Sequence, residues 1–328
     1  MKAILIKEFG SAEQMYIGEY PEPIVAEHEI LIKVVACGVN RADILQRQGK
    51  YPPPKDASEI LGLEVAGTVI RKGSACSKWK IGDRVCGILA AGGYAEYVAM
   101  HEDIAMSIPD EFTFEEAAAI PEVFLTAYQV LFWLAKLKKG DYVLVHAAAS
   151  GVGTAAIQLI REHGAIAIAI AGQKRKLDAC LSLGAALAIN YKETDFAKEV
   201  LSFTNQKGVN IIMDFIGATF WEQNILALGV DGTIIHISTL GGSRINLYDL
   251  RPIMSKRATI IGTTLRGRAL EYKIALTQEF IQKIMPKLKD KVIKPVIDKV
   301  FKFEECVAAQ KYMENNQNIG KIILSLGN

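Results

Sequence analysis

The sequence predicts an α/β protein in which a β-rich domain is joined to a doubly wound parallel sheet. Three features carry this reading. The first third breaks into short apolar stretches bounded by Gly and Pro, the pattern turns helical from about Thr113, and beyond Pro121 apolar strands alternate with helices. At 328 residues, half of them hydrophobic, the chain exceeds one usual core, so two domains are expected.

In chain order, the early strands are expected at Ala3 to Ile6, Ile30 to Val35, Gly67 to Ile70 and Tyr94 to Ala99. Thr113 caps a helix over Phe114 to Ile120, with Glu116 three residues on completing a capping box. Beyond Pro121 come strand Tyr142 to His146, helix Val152 to Glu162 closed by Gly164, strand Ile166 to Ile170 and helix Lys174 to Leu183 closed by Gly184. The alternation continues through strand Leu187 to Ile189, helix Asp195 to Phe203, strand Asn210 to Asp214, a helix near Trp221 to Leu228 and strand Thr233 to Ile237. Such alternation means a parallel sheet covered on both faces. A long helix from about Tyr272 and a closing strand at Lys321 to Leu326 are placed to return to the first domain.

Net charge is only +2, with cations and acids interleaved, so nothing favours nucleic acid or anionic membrane, and small molecules are the expected partners. The cysteines, Cys37, Cys76, Cys86, Cys180 and Cys306, are odd in number and form no C-x-x-C pair, which predicts reduced thiols. Met1 to Phe9 lacks the apolar core of a signal peptide, and no apolar run is expected to reach membrane-spanning length. A cytoplasmic enzyme is the expectation.

From Val143 an apolar strand runs through His146, Ala147, Ala148, Ala149 and Ser150 into a helix opening on Gly151, Val152 and Gly153. Small residues there let the backbone approach a pyrophosphate, and a helix N-terminus offers it unpaired N–H groups. The match to G-x-G-x-x-G is imperfect, with Ala148 and Ser150 where the first two glycines would stand; a tight packing turn would leave the same trace. About twenty residues after these glycines, an NAD enzyme places a carboxylate on the ribose 2′-hydroxyl. Here Gln173 stands there, followed by Lys174, Arg175 and Lys176, which suit a 2′-phosphate and predict NADPH. The alternative is that these cations only solvate a helix turn.

Together with Gly82-Asp-Arg-Val85, Gly93-Tyr-Ala-Glu-Tyr97 and Ala118-Ala-Ile-Pro121, these features resemble the medium-chain dehydrogenase/reductase superfamily. Asn40-Arg-Ala-Asp43, Gln46 to Tyr51, Leu125-Thr-Ala-Tyr128, Ile189-Asn-Tyr-Lys192 and Asn318-Ile-Gly-Lys321 look like its zinc-free quinone oxidoreductase branch. The resemblance spans essentially the whole chain. It implies a GroES-like catalytic domain made from residues 1–121 and 269–328, a Rossmann NADP-binding domain over 122–268, a cofactor in the cleft, and a homodimer or homotetramer.

By the same analogy Asn40, Tyr51 and Thr126 face the nicotinamide end, Ser150, Gly151 and Val152 the pyrophosphate, and Gly172, Lys176 and Tyr191 the adenosine phosphate. The loops carrying Phe215 and Gly217, Ile237 and Leu240, and Leu265 and Arg266, together with Asn318, are implied further contacts. Each residue also has a plain structural reading: Tyr51 packing a proline-rich loop, Asn40 holding a turn, Thr126 bonding within its helix.

Zinc alcohol dehydrogenases of this superfamily place a Cys where Asn40 stands and a His where Leu63 follows Gly62. An amide and an aliphatic side chain do not replace those ligands, and no cysteine-rich loop follows Tyr97, so no metal is expected. Without a Lewis acid, electron-poor acceptors fit better than alcohols. A quinone takes hydride directly, and its oxyanion needs only a hydrogen bond, for which Tyr51 is the candidate catalytic donor. A 2-alkenal or enone reductase is the alternative within the class. Outside it stands an NADPH-binding structural or RNA-binding protein, against which the near-neutral charge argues.

Overall fold

The computed structural model describes residues 1–55, 57–246 and 248–327, and the chain divides into two compact units, 1–125 with 265–328 and 126–264. In the first unit, β1 (Lys2–Ile6) and β2 (Met15–Glu19) form an antiparallel pair. β3 (Glu29–Val39) is followed by the short helix α1 (Arg41–Arg47), then by β4 (Glu64–Lys72), β5 (Arg84–Ile88), β6 (Tyr97–His101) and β7 (Ala105–Ser107). Helix α2 (Phe114–Ala118) precedes α3 (Pro121–Tyr128), inside which the boundary between the units falls.

The capping box at α2 forms: Thr113 Oγ1 accepts from Glu116 N at 3.1 Å, and Thr113 N donates to Glu116 Oε2 at 2.9 Å. α2 stops at Ala118 and not at Ile120, because the ring of Pro121 disfavours helical backbone before it and removes an N–H. Likewise the strand expected from Tyr94 begins only at Tyr97. Tyr94 N is bound instead to the Leu61 carbonyl.

The helical stretch Phe114–Leu134 is long and apolar enough to cross a bilayer, which corrects the expectation that none would be. Its three glutamates interrupt every strictly apolar run but leave the average hydropathy high, and 78% of the qualifying window is buried inside the protein.

The second unit carries β8 (Tyr142–Val145), α4 (Gly151–Glu162), β9 (Ile166–Ala171), α5 (Lys174–Ser182), β10 (Leu187–Asn190), α6 (Phe196–Phe203), β11 (Val209–Asp214), α7 (Trp221–Ala227), β12 (Leu228–His236) and β13 (Thr259–Gly262). Every pairing is parallel and the order is β10-β9-β8-β11-β12-β13. Numbered within the unit this is 3-2-1-4-5-6, the doubly wound Rossmann order, with its switch point between β8 and β11. A core of Leu144, Ile168, Phe196, Ile212 and Ile234 joins the strands to the covering helices.

After helix Leu270–Lys283 the chain re-enters the first unit's sheet as β14 (Ile297–Lys302) and β15 (Lys321–Ser325), giving a path β14-β15-β3-β4-β5-β7 with β6 also on β3. β15 pairs antiparallel with β3, Ile322 opposite Val39. The returning helix Cys306–Glu314 supplies Gln310, whose Oε1 accepts at 2.7 Å from Nε of the fully buried Arg47.

Candidate functional site

In the second unit, the loops of interest leave the C-terminal ends of the parallel strands. β8 ends into His146, and Ala147 turns the chain at φ 45° before Ser150 caps α4, its Oγ accepting from Gly153 N at 3.1 Å. Gly151 and Val152 form the first helical turn. A Cβ on Gly153 would lie 2.4 Å from the Ala148 carbonyl oxygen, so glycine is needed for the turn to close. Backbone N–H groups and the helix dipole therefore converge on one small-residue loop, the chemistry that holds a pyrophosphate.

At the adjacent strand end, β9 runs into Gly172, where a Cβ would fall 2.9 Å from both the Tyr191 ring and the Lys192 stem. Gly172 and Tyr191 are thus brought together, and Lys176 stands in the first turn of α5. That turn holds three cations where the dipole disfavours them, and Lys174 is tied to Asp178 at 3.0 Å. Tyr191 packs edge-on against Phe220 at 5.2 Å. The loops after β11 and β12 carry Phe215 and Gly217, and Ile237 and the exposed Leu240; Leu240 N donates to the Phe215 carbonyl at 3.1 Å. Thr126 is buried within α3.

In the first unit, Asn40 lies in a buried cluster of charge. Lys321 Nζ donates to the Val39 carbonyl (3.0 Å), Asn40 Oδ1 (2.7 Å) and Glu64 Oε1 (2.5 Å). Asn40 Nδ2 donates to the same Glu64 oxygen at 2.9 Å, and Glu64 Oε2 accepts from the backbone N–H of Glu122 at 2.8 Å. Asn40 N donates to Asp43 Oδ2 at 2.7 Å, while Tyr94 Oη donates to the same oxygen at 3.1 Å. Burial pushes the Asp43 carboxyl up to about 6 despite these donors, and burial together with Glu64 pushes that of the half-buried Glu122 up to about 8. Both ends of the Asn40 amide are engaged within the cluster. Asn318, close by in sequence to Lys321, turns its Nδ2 to the Gly320 carbonyl at 2.7 Å.

Tyr51 and Arg266 are also brought together, near enough to Glu122 of this cluster to feel its charge. The buried Arg266 guanidinium lies 5.2 Å from the Tyr51 ring and donates to the Tyr51 carbonyl (3.3 Å), the Ala90 carbonyl (2.6 Å) and Gln46 Oε1 (2.6 Å). Burial raises the Tyr51 phenol above its ordinary value, so it keeps its proton. Leu265, beside Arg266, is buried.

With this geometry in place, likeness to known proteins is informative. Residues 26–110 match the Alcohol dehydrogenase GroES-like domain family and 151–282 the Zinc-binding dehydrogenase family. Human quinone oxidoreductase is 31% identical over 329 residues, covering 99% of this chain and 98% of the relative. The chain belongs to the quinone oxidoreductase branch of the medium-chain dehydrogenase/reductase superfamily. Among solved structures, Escherichia coli quinone oxidoreductase complexed with NADPH superposes with a TM-score of 0.90 at 28% identity, covering 99% of this chain and 100% of that one. The CurK enoyl reductase does so at 0.87 and 27%, covering 99% and 98%.

A zinc ion, which the second matching family's name implies, does not fit this chain. At Asn40 the available donors are an amide already engaged at both ends and a carboxylate paired with an ammonium, and a second cation there would be repelled. Among the described residues, no group of three His, Cys, Asp or Glu is placed to hold a metal.

Reading the sequence alone missed Lys321, Asp43, Glu122 and Lys192 as members of these clusters, although Lys321, Asp43 and Lys192 lie inside quoted motifs. The available signal was charge in apolar surroundings: Lys321 opens the run Ile322-Ile-Leu, and Glu64 opens Val65-Ala-Gly.

Proposed function

We propose that the protein is an NADPH-dependent quinone reductase that transfers hydride without a metal. The carrying observation is the Lys321–Glu64–Asn40 cluster, where an amide stands in place of a metal ligand and an ammonium already neutralises the neighbouring carboxylate. When bound, NADPH supplies the hydride. The chain's residues then hold and exclude: the Ser150 to Gly153 turn receives the pyrophosphate, and Lys176 with its neighbours receives the 2′-phosphate through charge-assisted bonds. Tyr51, still protonated, donates to the acceptor oxygen as negative charge develops.

Reduction of a conjugated carbon–carbon double bond is the second reading, favoured by the likeness to CurK enoyl reductase. The reading also includes a cytoplasmic location, supported by five buried free thiols, and self-association. For the latter, β13 offers an outer strand edge with Ile260 exposed.

Parallel steady-state assays with NADPH and NADH, each against a simple quinone and an enone, test the proposal. Quinone turnover with NADPH at a kcat/KM at least about tenfold above the other combinations is expected, a difference of about 1.4 kcal/mol in transition-state binding. Equal rates with both cofactors would overturn the cofactor choice. Faster enone turnover would install the second reading.

A further inference from the structure

Asp214 closes β11 beside the switch point of the second unit's sheet, and its side chain is fully buried. One oxygen, Oδ1, accepts from Ile216 N (2.7 Å) and Gly217 N (3.0 Å) of the loop that follows its own strand. The same atom lies 3.0 Å from His146 Nδ1, across the switch point at the end of β8. The other oxygen lies 2.9 Å from Nδ1 of His236, the last residue of β12, and accepts from Asn224 Nδ2 of α7 at 3.2 Å. Three consecutive strands in the sheet, β8, β11 and β12, are thereby pinned at their C-terminal ends by one carboxylate.

The tethered residues are themselves held. His146, with no exposed surface, sits edge-on to Phe196 (5.7 Å) and Phe220 (5.3 Å), and His236 stacks on Trp221 at 5.8 Å. Both imidazoles present Nδ1 to the carboxylate, which fixes their orientation. Although burial alone would raise the Asp214 carboxyl, its bonds to His146 and His236 prevail and hold it well below the usual carboxylate range.

Each pinned strand end is the root of a candidate cofactor loop: residues 147–153 after His146, 215–217 after Asp214, and 237–240 after His236. A buried carboxylate with this many donors is rigid, because losing a donor leaves one of its oxygens short of a partner away from water. We propose that Asp214 is the positioning residue of the dinucleotide site, fixing the spacing of these three loops at once although it faces away from solvent. The inference deepens the NADPH reading and rests on it.

Asp214→Asn tests it. An amide keeps the shape but removes the negative charge that all five donors share, so the tethers at the three loop roots weaken together. NADPH affinity is expected to fall about 10- to 100-fold, as when outer partners of a bound group are lost, with kcat at saturating NADPH within about twofold of the parent. In the protein without cofactor, amide exchange should quicken in 147–153, 215–217 and 237–240 together. Val200→Ala, a buried core change on α6, should lower the Tm while leaving the NADPH Kd and the exchange of those loops at parent values. His236→Ala, at a partly exposed position, keeps the test alive if Asp214→Asn does not fold; it should quicken 237–240 alone and weaken NADPH binding less. An Asn variant that melts earlier yet binds NADPH with the parent's Kd, or one whose quickened exchange stays within 215–217, would overturn the proposal. If the parent binds no NADPH, the functional reading fails instead, and the exchange pattern decides the positioning role.

Discussion

In the second unit, the candidate residues outside α3 stand at or just beyond the C-terminal end of a parallel strand, whereas in the first the buried cluster joins Asn40 and Glu64 to Lys321 near the other end of the chain. One region is assembled from successive βα turns, each formed locally, three of them rooted on strand ends that share the Asp214 carboxylate. The other exists only after the two chain ends have met on β3 and β15. The contrast is one of sequence distance: the cluster's ion pair spans 257 positions, and closing so long a loop costs entropy that must be met before the contact forms. What the second unit owes to topology, the first owes to a specific buried pair.

The largest expected effect breaks that pair. Lys321→Met leaves Glu64 fully buried beside Asp43 with no cation, and should destabilise the first unit by about 3–5 kcal/mol. Urea unfolding followed by amide exchange reads this unit by unit. Protection in β8 to β12 should persist at urea concentrations where β3 and β15 have opened, and simultaneous loss in both units would erase the distinction drawn above. Adding Glu64→Gln to Lys321→Met should recover a large part of the loss, because the neutral amide no longer needs a counter-charge and still accepts from Glu122 N.

The legible parts of the molecule follow the same division. Gly164 and Gly184 close α4 and α5 where the sequence placed them, and Asp195 caps α6 through Ala197 N at 3.0 Å, because caps and hydrophobic period are local signals. β2, β5, β7, β13 and β14 went unread, being short and made strands by pairing more than by propensity, and α1 was missed although Asp43 caps Asn40 N at its start. The same holds for the sites. Ser150, Gly151 and Val152 drew attention through an imperfect glycine spacing between strand and helix, and they became candidates, like Gly172 and Tyr191, by resemblance. Asp214 read only as the end of a strand, and Lys321 only as a motif residue opening one, since nothing local says which distant group a buried charge will meet.

A second, smaller effect sharpens the local side of the comparison. Lys176 stands in the first turn of a helix whose strand precedes it directly, so on the proposed reading its removal should leave the fold unchanged and touch one cofactor only. Lys176→Ala is expected to cost about 1.5–3 kcal/mol of NADPH binding, the range for a hydrogen bond to a charged group, and to leave NADH nearly unaffected. Titration calorimetry with both dinucleotides checks it, and equal losses would assign Lys176 to helix solvation.

The smallest effect belongs to Glu122, at the start of α3 beside the buried cluster. Its carboxyl is pushed up to about 8 from 4.5 by burial first and by Glu64 second, with Lys321 and Arg266 opposing. A raised folded value means the native state holds the proton more tightly than the unfolded chain. The stability this adds is fully present below pH 4.5 and is lost as the pH rises through about 8. Glu122→Gln mimics the protonated form at every pH, so its Tm relative to the parent should climb between pH 5 and 9, by about a few degrees, since the group is only half-buried and water screens part of the penalty. Melting curves across that range decide the matter. A constant difference would mean that Glu122 ionises normally and that the cluster's influence ends at Glu64, whereas a climb that steepens in the Lys321→Met background, where the opposing ammonium is gone, would show the two groups to be coupled through one shared carboxylate.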